Sequence, residues 1–339
     1  MKNTTIKIFI LFFLFKIDCY AQSEYYAIDN FVKEISFIES ESLATKLTEN
    51  YDTDLEKVRA IFFWISNNIE YDLPLSKDQN QINKLYTSAE DIVRHTLKSK
   101  KAICSGYSYL FQSMCDEVGI ESVVINGFSR QIFDGFKEKL ETDHAWNAVK
   151  IDNEWYFLDS TWASGNTVTG QFVKEFNGFW FLTDPEEFIY THYPEDSKWT
   201  LLDREFTKND FYRLPTLNGN FFFTNGTKII EPKSGIISVD STNKFRIEIE
   251  LKNENTNVWF AGYPGETYAT LNNLPEPTDD DYEKYPDRYS LIVPSFEIVN
   301  EEKNGKRVIY TFEAKHKSLK GLWISIDYVQ TAEYKIEWE

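Results

Sequence analysis

The 339-residue sequence has few cysteines and few basic residues. Its three cysteines are too few for a disulfide-bonded scaffold or for a zinc module built on several thiolates. Lysine and arginine number 36 against 54 aspartates and glutamates, and the formal net charge is −18. This charge argues against a nucleic-acid or anionic-membrane binder, because both polyanions would repel the protein. Aromatic residues, by contrast, make up 17% of the chain, so a mainly disordered protein is excluded.

The sequence also lacks an apolar run long enough to span a bilayer as a helix. The run at Ile8–Phe15 has only eight apolar residues. Lys2 and Lys7 precede it, and the small-x-small sequence Cys19-Tyr20-Ala21 follows it. This pattern predicts a cleavable signal peptide at residues 1–21. We therefore expect an exported protein, periplasmic or secreted, that is not inserted in a membrane after cleavage.

The hydrophobic period of the remaining chain changes near residue 120. Before that point, Thr53 and Glu56 form a capping-box pattern ahead of apolar residues at helical spacing, which predicts helices. After it, residues 145–151 and 155–158 alternate as strands on either side of a turn at Asp152-Asn153.

A second change follows residue 232, where short alternating segments predict an all-β module of the immunoglobulin-like sandwich type. The predicted fold class is therefore α+β. The predicted domains are the signal peptide at 1–21, a core with a helical N-terminal part at 22–232, and the β-sandwich module at 233–339.

Two cysteines remain after the signal peptide, and the sequence assigns them different roles. A disulfide between Cys104 and Cys115 would suit an exported protein. However, both lie in a helical pattern, and eleven residues of helix rise about 16 Å, whereas a disulfide needs Cα atoms within about 7 Å. Cys115 is predicted to be a buried core thiol. Cys104 begins the helix, where the dipole and free N–H groups favour a thiolate and can hold an oxyanion, and Ser105-Gly106 would keep the sulfur accessible.

A thiol nucleophile needs a base and a group that fixes the tautomer of that base. A turn at residues 152–153 pairs residues whose numbers sum to 305, which puts Asp159 on the same face as His144. Asp143 is the poorer partner, because adjacent strand residues point to opposite faces. Cys104, His144 and Asp159 are therefore the candidate catalytic residues. A zinc site is not expected, since only Cys104 and His144 offer plausible ligands.

The segments around these residues resemble the transglutaminase-like superfamily. Lys101-Ala-Ile-Cys104-Ser-Gly-Tyr107, Asp143-His144-Ala-Trp-Asn147 and Trp155-Tyr-Phe-Leu-Asp159 occur in the family's order, and Leu182-Thr-Asp-Pro185 begins a stretch similar to the subgroup named for kyphoscoliosis peptidase. The resemblance implies a papain-like core with Cys104 as nucleophile, His144 as base and Asp159 as orienting carboxylate. It implies no metal or organic cofactor. No motif identifies a second oxyanion donor; Trp64 and Gln112 are the candidates.

The resemblance leaves the reaction open. The favoured function is acyl transfer on peptide or side-chain amides of a protein or peptide substrate, most simply with water as acceptor, as in a peptidase or amidase. One alternative is a protein-crosslinking transglutaminase. Another is a non-catalytic exported scaffold that binds a protein partner through the β module, where Trp259, Tyr263 and Tyr268 are candidate surface aromatics. An enzyme predicts a reactive Cys104 that depends on His144, and a scaffold predicts two equally slow thiols.

Overall fold

The computed structural model describes residues 25–35, 42–131, 139–168, 170–217, 226–251, 253–263, 266–267, 292–293, 296–317 and 319–339. Contacts divide the chain into two compact units, residues 1–127 with 143–185 and residues 128–142 with 186–339. The signal peptide expected at residues 1–21 lies outside the described residues, and the predicted domain boundaries stay predictions. Among the described residues, no helix combines the length and the apolar character needed to cross a membrane.

The first unit begins with helices, as the sequence predicts. The capping box forms at Thr53, whose hydroxyl accepts from the Glu56 amide at 3.3 Å while the Glu56 carboxylate accepts from the Thr53 amide at 3.1 Å. Apolar residues such as Ile61 and Phe62 are buried along the helix that follows. The helices of this unit are α1 (25–33), α2 (Leu43–Thr48), α3 (Asp54–Asn68), α4 (Leu73–Ser76), α5 (Gln79–Leu85), α6 (Ala89–Ser99), α7 (Cys104–Glu117) and α8 (Ser160–Ser164).

The strands of the first unit form an antiparallel sheet and two smaller pairs. In the sheet, β4 is flanked by β3 and β5, and β8 lies beyond β5; β1 pairs with β2 and β6 with β7. The predicted hairpin is confirmed: Ile151 pairs with Glu154, and Asp152 and Asn153 form the turn with φ values of 52° and 68°. These strands are β1 (Glu70–Tyr71), β2 (Lys101–Ala102), β3 (Ser122–Ser129), β4 (His144–Ile151), β5 (Glu154–Leu158), β6 (Gly165–Val168), β7 (Gln171–Lys174) and β8 (Phe181–Thr183).

The second unit contains most of the strands. Two sheets, with orders β10-β20-β19-β14 and β11-β13-β18-β17, bury facing apolar residues, and the Phe260 ring lies 4.8 Å from that of Phe312. The elements are α9 (Pro185–Phe188), α10 (Lys208–Arg213), β9 (His192–Pro194), β10 (Thr216–Leu217), β11 (Gly226–Glu231), β12 (Ile236–Val239), β13 (Lys244–Leu251), β14 (Val258–Tyr263), β15 (Glu266–Thr267), β16 (Ile292–Val293), β17 (Phe296–Asn304), β18 (Arg307–Ala314), β19 (Gly321–Ile326) and β20 (Val329–Trp338).

The fold is thus a mixture of helices and strands with many strands towards its C-terminal end. This agrees with the predicted α+β class. The immunoglobulin-like type of the C-terminal module stays a prediction.

Candidate active site

Cys104 is the first residue of α7, a helix of 14 residues, as predicted. The two-residue strand β2 leads directly into this helix start, and Ile103 caps it without a side-chain hydrogen bond. The Cys104 side chain is half-buried. A thiol in this position lies beside the free N–H groups and the positive end of the helix dipole.

Cys115 lies at the other end of α7 and is fully buried. Both cysteines are free thiols, so the expectation that they form no disulfide is confirmed. Burial raises the pKa of the Cys115 thiol well above its ordinary value. The two thiols therefore have different environments, one at a helix start with access to solvent and one in the core.

His144 and Asp159 form a buried hydrogen-bonded pair. His144 begins β4, and its Nε2 lies 2.8 Å from Oδ2 of Asp159. The strand pairing that brings them together follows the predicted register, with Asn147 opposite Leu158. Asp143 is exposed, which agrees with the prediction that it is the poorer partner for His144.

Asp159 is fixed by more than the histidine. β5 ends at Leu158, and Asp159 becomes the N-cap of α8. Its Oδ1 accepts from the backbone amides of Thr161 at 2.8 Å and Trp162 at 3.0 Å. The carboxylate is completely buried, and the two backbone bonds hold it so that Oδ2 faces the imidazole. The pairing across the turn at residues 152–153 predicted the face of the sheet on which Asp159 lies, and its role as the N-cap of α8 sets the orientation of the carboxylate.

The imidazole of His144 is held in a dry, aromatic setting. The ring of Trp162 lies 5.4 Å from it and that of Trp146 lies 6.1 Å away, nearly parallel. Burial has the largest effect on the pKa of His144 and lowers it, but the charge of Asp159 and the hydrogen bonds to Asp159 and Cys104 raise it by more, so the net shift is upward. Since Nε2 faces Asp159, Nδ1 is the nitrogen left for the thiol. The site favours an imidazolium, the partner that a thiolate needs.

Both sequence candidates for a second oxyanion donor are hydrogen-bonded to backbone carbonyls. Trp64 is buried and its indole N–H donates to the Ile35 carbonyl at 3.3 Å. The amide of Gln112 donates to the Ser122 carbonyl at 3.0 Å. Each of these donor groups thus holds local structure, and the second oxyanion donor stays unassigned by the sequence.

Sequence reasoning also misjudged Gly106 and missed two tyrosines. Gly106 does not open the approach to the sulfur; it is buried, and a Cβ there would lie 2.5 Å from Cβ of Ala102 and 2.8 Å from the Tyr86 hydroxyl. That same hydroxyl accepts from the Ile103 amide at 3.4 Å, beside the start of α7. Tyr71, in β1, lies opposite Ala102. The pairing of two such short strands leaves no periodic signal in the sequence.

Two other histidines contact aromatic rings. In the second unit, the His192 ring stacks on Phe188 at 4.1 Å and its Nδ1 lies 2.8 Å from the Thr191 hydroxyl. In α6, His95 packs edge-to-face against Tyr86 at 6.0 Å. The expectation that the site needs no metal or organic cofactor stays a prediction.

Comparison with known proteins agrees with this geometry. Residues 41–160 match the model of the transglutaminase-like superfamily. Kyphoscoliosis peptidase from Homo sapiens is 34% identical over 211 residues, which cover 58% of this chain and 29% of that protein. Hillarin from Drosophila melanogaster is 27% identical, over 62% of this chain and 26% of that protein. This chain thus spans less than a third of the length of the curated relatives it matches.

A solved structure described as that of a TGase is 21% identical and aligns with a TM-score of 0.28, over 47% of this chain and 42% of the other. The helix-start cysteine, the buried histidine–aspartate pair and the family match together define a transglutaminase-like domain, of a superfamily whose members are typically cysteine-dependent enzymes. Within that superfamily, the predicted resemblance to kyphoscoliosis peptidase is confirmed.

Proposed function

We propose that this protein is a thiol enzyme that transfers the acyl group of a peptide or side-chain amide. Cys104 is the nucleophile, His144 the base and Asp159 the carboxylate that orients the base. The observation that carries the proposal is the buried 2.8 Å contact between His144 and Asp159, in a pair whose imidazole is also hydrogen-bonded to Cys104. A helix-start thiol, a base and an orienting carboxylate are the three parts that thiol acyl chemistry requires.

These three residues can carry out both the acylation and the deacylation step. His144 takes the thiol proton, and the sulfur of Cys104 forms a bond to the carbonyl carbon. The tetrahedral oxyanion collapses, the C–N bond breaks, and His144 gives its proton to the departing amine. Water then attacks the thioester with His144 as base, which releases a carboxylic acid and restores the thiol. Asp159 stays ionised and stabilises the imidazolium formed in each half.

We favour water over an amine as the acyl acceptor. The relatives named kyphoscoliosis peptidase support a hydrolytic outcome, with a protein or peptide as substrate. Crosslinking differs only in the acceptor, so a fluorescent primary amine added to the reaction separates the two. Hydrolysis predicts cleaved or deamidated substrate without label. Covalent label on the substrate would instead support the crosslinking alternative.

The direct test is alkylation of the native protein by iodoacetamide, followed by peptide mass spectrometry. An unactivated thiol, with the ordinary cysteine pKa of about 8.5, is only about 1% thiolate at pH 6.5. We expect Cys104 to react at that pH much faster than such a thiol, and His144→Ala to remove the advantage. Cys115 is the internal control in the same sample. If Cys104 reacts as slowly as an unactivated thiol, or equally fast in His144→Ala, the protein is not a thiol enzyme of this kind.

We further propose that the protein acts outside the cytoplasm and that its C-terminal module is an immunoglobulin-like sandwich with a surface for a protein partner. The leader-like residues 1–21 support export, and the rings of Trp259 and Tyr328, exposed by 54% and 80%, lie 5.9 Å apart on that module. The mass of the protein recovered from the periplasm or medium tests the export. A chain that retains residues 1–21 inside the cell would contradict it.

A further inference from the structure

Tyr71 is held beside the start of α7 by a short parallel pairing. Its partner across the strands is Ala102, two residues before Cys104. Backbone hydrogen bonds close the pair on both sides, from the Glu70 amide to the Lys100 carbonyl and from the Asp72 amide to the Ala102 carbonyl, each at 2.9 Å. The position of Tyr71 relative to the nucleophile is therefore set by backbone rather than by a flexible loop.

The residue before this strand is anchored as well. The Ile69 carbonyl accepts the hydroxyl of Tyr107 at 2.8 Å and the ammonium group of Lys174 at 2.7 Å. β1 also contacts α8, the helix that Asp159 caps. Tyr71 thus belongs to a strand that contacts both the strand leading into Cys104 and the helix that follows Asp159.

The phenol of Tyr71 is half-buried and interacts electrostatically with both Cys104 and Asp159. Burial is the main reason that the pKa of Tyr71 rises to about 12, and the negative charge of a Cys104 thiolate adds to it. The phenol therefore keeps its proton at neutral pH. A neutral O–H group close to a site of developing negative charge is a suitable hydrogen-bond donor for that charge.

Neighbouring hydroxyls have other hydrogen-bond partners. Tyr107 donates to the Ile69 carbonyl, and Tyr86 accepts from the Ile103 amide. Tyr71 is hydrogen-bonded to Ser76, whose own hydroxyl donates to the Leu73 carbonyl at 2.9 Å. The partner of the Tyr71 hydroxyl at rest is thus a neutral hydroxyl. Exchanging this neutral partner for an oxyanion replaces a neutral hydrogen bond by a stronger, charge-assisted one.

We propose that Tyr71 is a catalytic residue: its hydroxyl donates a hydrogen bond to the oxyanion that forms when Cys104 attacks the substrate carbonyl. It acts together with the backbone N–H groups at the start of α7. This inference rests on the function proposed above. Removing one oxyanion donor typically lowers the rate by about 10²–10³, which sets the size of the expected effect.

Two reactions of the Cys104 thiol distinguish stabilisation of the oxyanion from an effect on the thiolate. Acylation by p-nitrophenyl acetate passes through a tetrahedral oxyanion, whereas alkylation by iodoacetamide is a displacement at carbon that forms none. The Cys104-dependent rates are obtained by subtracting those of Cys104→Ala. For Tyr71→Phe we expect acylation to fall by about 10²-fold or more, with alkylation changed by less than about threefold. Tyr109→Phe, at a half-buried position of α7, is the matched control, and its ratio of the two rates should stay at the wild-type value.

A fall of both rates to the same extent in Tyr71→Phe would overturn the assignment, because Tyr71 would then act on the thiolate. An unchanged acylation rate would overturn it too. Ser76→Ala is a second variant that leaves the phenol in place, so acylation should be kept or rise; a selective loss of acylation there contradicts the proposal even if Tyr71→Phe does not fold. Failure of the thiol-enzyme function is a separate result, because Cys104 would then be alkylated at the same rate in the wild-type protein and in His144→Ala.

Discussion

Replacing Asp159 by asparagine would reverse one hydrogen bond and leave the other roles of the side chain intact. Oδ1 of Asp159 caps α8 through the amides of Thr161 and Trp162, and the asparagine oxygen can accept the same two bonds. Oδ2 lies 2.8 Å from Nε2 of His144, where an asparagine amide group can only donate. The imidazole must then carry its proton on Nδ1, the nitrogen that should receive the proton of Cys104.

The size of the effect follows from this geometry. The same reversal in a serine-protease triad lowers turnover by about 10⁴, so we expect acyl transfer in Asp159→Asn to fall by about 10³–10⁴. The fold loses one charge-assisted hydrogen bond, about 1.5–3 kcal/mol. The loss should depend on pH. The pKa of His144 is raised in the folded protein. The His144–Asp159 pair therefore makes its full contribution to the free energy of unfolding below the ordinary histidine pKa of about 6.5. That contribution is lost as the pH rises through the raised pKa.

The measurement is urea unfolding, followed by tryptophan fluorescence, at pH 6 and pH 9, together with acylation by p-nitrophenyl acetate. Asp143→Asn is the matched control, because Asp143 is adjacent to His144 in sequence but exposed. We expect the stability difference between wild type and Asp159→Asn to be larger at pH 6 than at pH 9. A difference that grows with pH, or an equal loss of acylation in Asp143→Asn, would refute the reasoning.

Three further outcomes are expected. Gly106→Ala should lower the free energy of unfolding by about 1–3 kcal/mol, because its Cβ would lie 2.5 Å from a neighbouring carbon, whereas Gly119→Ala meets open space and should lose only about 1 kcal/mol through its φ of +78°; equal losses would contradict this. Arg59→Ala should lower stability by about 3 kcal/mol in thermal unfolding, since it strands Asp29, its partner at 2.7 Å, in a largely buried site; no change in midpoint would argue against a structural role. Cys115 should resist iodoacetamide at pH 8 until urea unfolds the protein, and labelling of the native protein would contradict its burial.

Local pattern was enough to predict the parts of the site that lie within single elements or a single hairpin. The start of α7 at Cys104 followed from helical spacing and the Gly119 stop. The approach of His144 and Asp159 followed from the parity of a two-residue turn, because a hairpin fixes which residues share a face. In both cases the determining contacts are close in sequence.

The parts that could not be predicted depend on contacts distant in sequence or on the end of a strand. β1 and β2 have two residues each and pair across 31 positions, from Tyr71 to Ala102, so neither shows a period. The tight packing at Gly106 arises only once α6 and α7 are brought together. Turn parity indicated the face of Asp159, but its two bonds to the backbone of α8 arise only because β5 stops one residue earlier.

The three catalytic candidates all lie at the ends of elements: Cys104 at a helix start, His144 at a strand start and Asp159 at the cap between a strand and a helix. Helix starts leave backbone N–H groups unpaired, and these groups can hold a thiolate, a carboxylate or an oxyanion. Cys104, which is half-buried and opens a helix, can be changed with little loss of folding free energy. Asp159 differs, because one oxygen of the same buried carboxylate supports the fold and the other supports the base. Asp159→Ala should thus reduce both the stability of the fold and the reactivity of the thiol. Asp159→Asn should keep most of the stability and lose most of the reactivity.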